Sequence, residues 1–207
     1  MSQQKQHQQP TTNNMIYSKV VLLGDKSGKT SIINRFIDNN NNNSTPDITS
    51  NTHTTGFITK QMSLIGDEFD NYQINFQIGD TSSDTKYHFL YKLFIKEASA
   101  IIFTFDITNP TSFENVKSLI TKMLQYIKNT SMLVLVATKS DLKEKSQIDL
   151  SKARLFASDK SMLFKEVSAK TGQGVKDLFK DLGRIELYRR TGQSNAEKKV
   201  FTKKKGV

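Results

Sequence analysis

The sequence predicts an α/β protein whose mainly parallel sheet is covered by helices on both faces. Three observations predict it. Short apolar runs alternate with helix-spaced apolar stripes from Met15 to about Arg190. The runs at residues 100–105 and 133–137 are dominated by β-branched, aromatic and aliphatic side chains, as in strands buried on both faces. The first run passes straight through a glycine-containing turn into a helical pattern, the order that a parallel crossover requires.

The elements follow in order. Residues 20–23 (VVLL) form a short apolar run ending at Gly24 and read as a buried strand. Residues 30–37 place Ile32, Ile33, Phe36 and Ile37 at helical spacing. Residues 57–64 and 74–78 alternate like half-buried strands, with a turn around residues 66–71. After the strand at 100–105, Thr111 and Glu114 have capping-box spacing. Phe113, Val116, Ile120, Met123, Leu124 and Ile127 then make one helical stripe. A strand at 133–137, a helix at 150–157, a strand at 163–167 and a helix at 175–188 complete the series. Right-handed crossovers put ligand sites at the carboxyl ends of the strands, so function is expected in the loops after Leu23, Ile78, Ala137 and Val167.

Composition narrows the classes. The 207 residues are 36% apolar and 24% charged, low in apolar content for a soluble domain but too apolar for a wholly disordered chain. No apolar run approaches the roughly 18 residues of a membrane helix. Thirty Lys and Arg against 20 Asp and Glu give a net charge of +10, which suits phosphate-bearing partners. With no cysteine, disulfides, thiol catalysis, thiolate zinc and thioether lipid anchors are excluded, and a cytoplasmic location is expected. Residues 1–14 read as a disordered polar arm, 15–190 as the folded domain, and 191–207 as a flexible tail with five lysines and one glutamate. An Asn-rich insertion at about 38–51 shows no apolar periodicity. His7, His53 and His88 are isolated without metal spacing, and the scattered methionines read as core filler. No aromatic–basic motif supports nucleic-acid binding.

The loop after the first strand carries phosphate chemistry. Gly24, Asp25, Lys26, Ser27, Gly28, Lys29, Thr30 and Ser31 join strand to helix. Phosphate binding needs inward backbone N–H groups, which side chains obstruct, and it gains from the positive end of a helix. Lys29 is placed to reach the phosphates and Thr30 to ligate Mg²⁺. The pattern G-x-x-x-x-G-K-[ST] is one residue short here, unless Leu23 fills the first glycine position. Thr138, Lys139 and Asp141 follow the strand at 133–137; a carboxylate at Asp141 accepts from N1–H and the 2-amino group of guanine, a pair that adenine lacks. Lys139 is expected to lay its stem over the base. Ser168, Ala169 and Lys170 follow the strand at 163–167, where a backbone N–H can bind guanine O6.

On these residues the chain resembles the Ras superfamily of small GTP-binding proteins, and its Rab branch most. The likeness runs through residues 19–25 (KVVLLGD), Gln77-Ile78-x-Asp80-Thr81, Phe105-Asp106-Ile107-Thr108, Ser112-Phe113-Glu114-Asn115-Val116, Thr138-Lys139-x-Asp141-Leu142 and Glu166-Val167-Ser168-Ala169-Lys170. The resemblance implies a three-layer α/β/α P-loop NTPase G domain with a six-stranded, mostly parallel sheet and about five helices. It implies GTP/GDP and Mg²⁺ as cofactors, and a switch that docks effector and regulator proteins in membrane traffic or signalling. By position, Thr30 is the first Mg²⁺ ligand, Thr54 the first-switch ligand, and Asp80 acts on the metal through water.

The departures bear on turnover. Where the family has Asp-Thr-Ala-Gly-Gln, this chain has Asp80-Thr81-Ser82-Ser83-Asp84. Ser83 restricts a position that needs glycine's freedom, and Asp84 replaces the glutamine that orients the attacking water. A carboxylate beside phosphate is repelled and cannot donate a hydrogen bond, so hydrolysis is expected to be slow or absent, and no catalytic residue is assigned. Gly79 stands at the usual tryptophan position, and 18 residues separate Arg35 from Thr54, several more than usual. The tail offers a basic signal without a prenylated cysteine, which limits it to weak, salt-sensitive contact with anionic lipid; peripheral membrane location is then expected through partners. Three functions compete: a nucleotide-dependent recruiter of partners with little turnover, an active regulatory GTPase, and a pseudo-GTPase scaffold that binds no nucleotide.

Overall fold

A computed structural model describes residues 14–38, 57–63, 72–81 and 91–192. Thr54, Ser82 to Asp84, the three histidines and nearly all of the Asn-rich and C-terminal segments lie outside the described residues.

The described chain runs β1 (Asn14–Leu23), α1 (Lys29–Asp38), β2 (Phe57–Ser63), β3 (Tyr72–Asp80), α2 (Tyr91–Ile95), β4 (Ala100–Asp106), α3 (Pro110–Met123), β5 (Met132–Thr138), α4 (Leu150–Asp159), β6 (Leu163–Glu166) and α5 (Val175–Thr191). The strands form one sheet in the order β2-β3-β1-β4-β5-β6. Every neighbouring pair is parallel except β2 with β3. The predicted six-stranded, mostly parallel sheet is therefore present.

The alternation of β1 shows how the layers arise. Val20 and Leu22 join a core with Ile33 and Phe36 of α1 and Phe179 and Ile185 of α5. Val21 and Leu23 join a second core with Tyr91 and Ile95 of α2, Val116 and Ile120 of α3 and Ala153 and Ala157 of α4. Successive strand side chains point to opposite faces, so one apolar run builds both cores. In the first core Phe36 stacks on Phe179 with centroids 3.7 Å apart, and Phe76 meets both rings edge-on. Such a ring pair adds about 0.5–1.5 kcal/mol beyond the area it buries. It fastens α1 to α5, and α1 carries the candidate site.

Several predicted boundaries move. β1 begins at Asn14 rather than Val20, because residues 14–19, of mixed polar and apolar character, pair in register with β3 from Asn14 opposite Tyr72 onward. Backbone pairing needs no apolar side chain, so periodicity misses it. The capping box at Thr111 and Glu114 is not formed: α3 is capped by Asn109, whose side chain accepts from the Thr111 N–H, with Pro110 opening the helix. Asparagine is a strong cap and proline is preorganised for the first helical position, so together they displace the threonine. The helix ends at Met123, and Leu124 enters a single 3-10 turn. Leu124 and Ile127 still pack on the core without being helical. α2 is only five residues long, too short for periodicity to reveal.

Candidate functional site

β1 sits between β3 and β4, so the strand order reverses there and leaves a crevice beyond its carboxyl end. Residues 24–28 turn through that crevice into α1. Leu23 is the last residue of β1 and is fully buried, so it does not serve as the first glycine. The loop is one residue short. Gly24 has φ +151°, and a Cβ there would lie 2.4 Å from both the carbonyl and the hydroxyl oxygen of Thr104. Only glycine fits between β1 and β4 at this point. Lys26 also takes positive φ, at 43°. Ser27 is fully buried, and its hydroxyl lies 2.5 Å from that of Thr104, tying the loop to β4. Gly28 has φ +79°, and a Cβ there would meet nothing within 4 Å. Its open side faces the cleft, leaving room for a ligand to approach the backbone.

Lys29 begins α1 and is 3% exposed. Its ammonium donates to the Gly24 carbonyl at 2.6 Å. Burial pushes its pKa down, and the nearby carboxylates of Asp80 and Asp25 oppose that shift. An anion entering the cleft would relieve the same desolvation. Thr30 donates to Asp80 Oδ2 at 2.5 Å, across β1 and β3. The other oxygen, Asp80 Oδ1, is buried without a hydrogen-bond partner in the described structure. A buried carboxylate oxygen with no partner, beside a threonine hydroxyl, is the donor set that a hydrated Mg²⁺ takes. The residues present fit the ion.

The residues expected to select a base lie across the cleft. Asp141 accepts from the Ser168 hydroxyl at 2.6 Å, and that bond, reinforced by Lys170 and Lys139, lowers its pKa and favours the ionised acceptor. Ser140 N–H donates to Val167 O at 3.0 Å, pinning the loop after β5 to the end of β6. Thr138 is buried, faces the cleft, and leaves its hydroxyl without a partner in the described structure. Lys139 adopts the left-handed conformation, φ 58°. Its ammonium is 2.5 Å from Asp106 Oδ2. Asp106, at the end of β4, thus anchors this side chain, a link that sequence patterning alone does not disclose.

A cleft of about 580 Å³ lies between the start of α1 and the loops after β5 and β6; Lys29, Thr30 and Asp80 do not line it. Ser27, Gly28 and Ser31 line it at the α1 side, and Thr138, Lys139, Asp141, Ala169 and Lys170 at the other. Asp25 and Gly24 face a separate, smaller hollow beside α3, where Asn115 donates to Asp25 Oδ2 at 3.3 Å. Arg35, also lining the main cleft, escaped the sequence reading because nothing in its spacing marks it. Tyr91 escaped it too: its buried hydroxyl bonds Thr81, and burial raises its pKa.

A family model described as the Ras family matches residues 19–187. The chain belongs to the Ras family. Within it the similarity is to Rab proteins. Ras-related protein RABF2a of Arabidopsis thaliana is 31% identical over 180 residues, covering 83% of this chain and 82% of that protein. Ras-related protein RABF2b of the same plant is 30% identical with the same coverage. Ras-related protein Rab5 of Nicotiana tabacum is 29% identical, again over 180 residues. The matched span covers both sides of the cleft, from Ser27 to Lys170. Membership in the Ras family also accounts for strand-end loops converging on one crevice, since its members generally bind GTP or GDP with Mg²⁺.

Proposed function

We propose that this Ras-family protein is a guanine-nucleotide switch that works by recruiting effector and regulator proteins, with slow turnover. The observation that carries the reading is the cleft that runs from Ser27, Gly28 and Ser31 to Asp141, which Ser168 positions, with the Lys29 ammonium buried against the Gly24 carbonyl of the same loop. Lys29 would hold the phosphates, with the amides of residues 25 to 31 around them. Asp141 would accept from the guanine N1–H and amino group. Thr138, with its unpartnered hydroxyl, would meet the purine edge. Thr30 and Asp80 would hold Mg²⁺, together with Thr54 from outside the described residues. Mg²⁺, when bound, supplies charge neutralisation for the phosphates. Slow hydrolysis follows from Asp84, whose carboxylate is repelled by phosphate and cannot donate to it. The resemblance to Rab proteins supports a role in membrane traffic or signalling, with the basic tail adding a weak contact to anionic lipid. The competing reading is a scaffold that binds no nucleotide; the short phosphate loop favours it.

The test is titration of the protein with fluorescent GDP and GTP, with and without Mg²⁺. Saturable binding that weakens when Mg²⁺ is chelated is expected. Absence of binding with either nucleotide overturns the proposal and leaves the scaffold.

A further inference from the structure

Arg35 lies on α1, five residues beyond Thr30, and its guanidinium reaches the turn after β6. Nε donates to the Ala169 carbonyl at 2.5 Å, and the terminal nitrogen NH2 donates to the Lys170 carbonyl at 2.5 Å. The planar fork of arginine thus holds two consecutive carbonyls. The rest of the turn is bonded internally. Ser168 N–H donates to Gln173 O at 2.9 Å, Gly172 N–H to Ser168 O at 2.8 Å, and Thr171 N–H to the Ser168 hydroxyl at 3.1 Å. Within residues 168–173 two amides are left over: among the described residues, the N–H groups of Ala169 and Lys170 have no hydrogen-bond partner.

A peptide group is planar, with its C=O and N–H pointing in opposite directions. The Lys170 N–H shares its plane with the Ala169 carbonyl, so Arg35 fixes where that amide points. The Ala169 N–H shares its plane with the Ser168 carbonyl, which Gly172 fixes. Both residues line the cleft. We propose that Arg35 is a positioning residue for base selection: by holding the Ala169 carbonyl it aims the Lys170 amide, beside the Ala169 amide that Gly172 fixes, at the exocyclic oxygen of a guanine base. The inference rests on the nucleotide reading above. It assigns the two edges of the base to separate supports. Asp141, which faces N1–H and the amino group, is braced by Ser168 and not by Arg35. The oxygen edge depends on α1, the helix that also begins with Lys29 and Thr30.

The experiment compares GDP, IDP and 6-thio-GDP on the full chain, as the parent protein and as Arg35→Met and Arg35→Lys. IDP lacks the amino group and keeps the oxygen. 6-Thio-GDP keeps N1–H and the amino group but replaces the oxygen with a poorer acceptor. Arg35→Met retains the apolar stem without donors; Arg35→Lys supplies a single point donor that cannot fork. In Arg35→Met the preference for GDP over 6-thio-GDP should shrink by about threefold to tenfold, the worth of one ordinary hydrogen bond. The preference for GDP over IDP should stay unchanged, and Arg35→Lys should fall between. Affinity that drops in parallel for all three ligands would make Arg35 a merely structural clamp and overturn the proposal. Shrinkage of both preferences together would overturn it as well. If Arg35→Met does not fold, Arg35→Lys must still show the selective loss. A parent protein that binds none of the three refutes the nucleotide reading itself, which distinguishes that failure from the failure of this inference.

Discussion

The Thr30 hydroxyl sits 2.5 Å from Asp80 Oδ2, although the two residues are 50 positions apart. The sheet register explains the meeting: Asp80 lies opposite Leu22, at the end of β1 from which the phosphate loop departs. Replacing Thr30 with alanine removes the hydroxyl that bonds Asp80 Oδ2. We expect Mg²⁺ to slow GDP release from the parent protein and to lose that influence in Thr30→Ala. The loss of Mg²⁺ affinity should be at least about tenfold, the lower figure for removing even an outer-shell partner of a metal ligand. Stopped-flow release of a fluorescent GDP across a Mg²⁺ series measures it. Equal Mg²⁺ dependence in both proteins would remove Thr30 from the metal site.

Gly24 and Gly28 both take positive φ, yet they should fail in different ways when changed to alanine. A Cβ at Gly24 would sit 2.4 Å from two oxygens of Thr104, and backbone on β4 cannot move aside easily. Gly24→Ala should cost about 2 kcal/mol or more, lowering Tm by roughly 4–8 °C in a domain of this size. At Gly28 a Cβ would meet nothing within 4 Å, so only the conformational cost applies, about 1 kcal/mol. That Cβ would instead occupy the ligand's approach to the backbone. Thermal melts with and without GDP separate the cases. Gly28→Ala should melt near the parent temperature and lose the shift that GDP produces.

The Asp106–Lys139 pair gives stability a defined pH dependence. Asp106 is 6% exposed and Lys139 46% exposed, so solvent screens the pair from one side. Burial alone would raise the Asp106 pKa, but bonds from Lys139 and from the Thr108 hydroxyl and N–H outweigh it and hold the pKa below 3.8. The unfolded chain therefore takes up its proton first as the solution is acidified. The stabilisation is complete above the unfolded value of 3.8 and is lost as pH falls through the lower folded value. Asp141 contributes in the same direction. Asp106→Asn should lower Tm by about 2–4 °C at pH 7, near 1 kcal/mol, and flatten the decline in acid. Melts from pH 7 down to about pH 3 check both expectations. An acid limb as steep as the parent's would assign the dependence to other carboxylates.

The strands were legible because fully buried parallel strands are nearly continuous apolar runs, as residues 100–103 show. The two ends of the site were legible because glycine, lysine and carboxylate chemistry each restrict the residues that serve. What patterning could not disclose were links between distant segments. Asp106 bonding Lys139, Ser27 bonding Thr104 and Arg35 bonding Ala169 each join residues at least 33 positions apart, and side-chain bonds of that kind leave no period in a sequence. The cap at Asn109 was missed for a local reason: Thr111 offered the same chemistry two residues on, and the choice depended on Pro110.

Hydrolysis tests the remaining departure, at Ser83 and Asp84, which lie outside the described residues. The segment begins just after Thr81, whose buried hydroxyl donates to the Leu22 carbonyl at 2.6 Å, so its root is fixed to β1. At the position where the family has glutamine, Asp84 carries a negative charge and offers no amide donor for an attacking water. Glutamine at the same position removes the charge and supplies an amide that both accepts and donates, as orientation of the water requires. Ser83→Gly restores conformational freedom beside it. Single-turnover hydrolysis at saturating GTP should be slow in the parent protein. It should rise by about tenfold or more in the Ser83→Gly, Asp84→Gln double variant, a barrier change near 1.4 kcal/mol. Lys29→Ala in that background should abolish the gain, because Lys29 is the buried lysine proposed to hold the phosphates. A double variant as slow as the parent would shift the cause of slow turnover to the shortened loop between Gly24 and Gly28, where one backbone amide is missing.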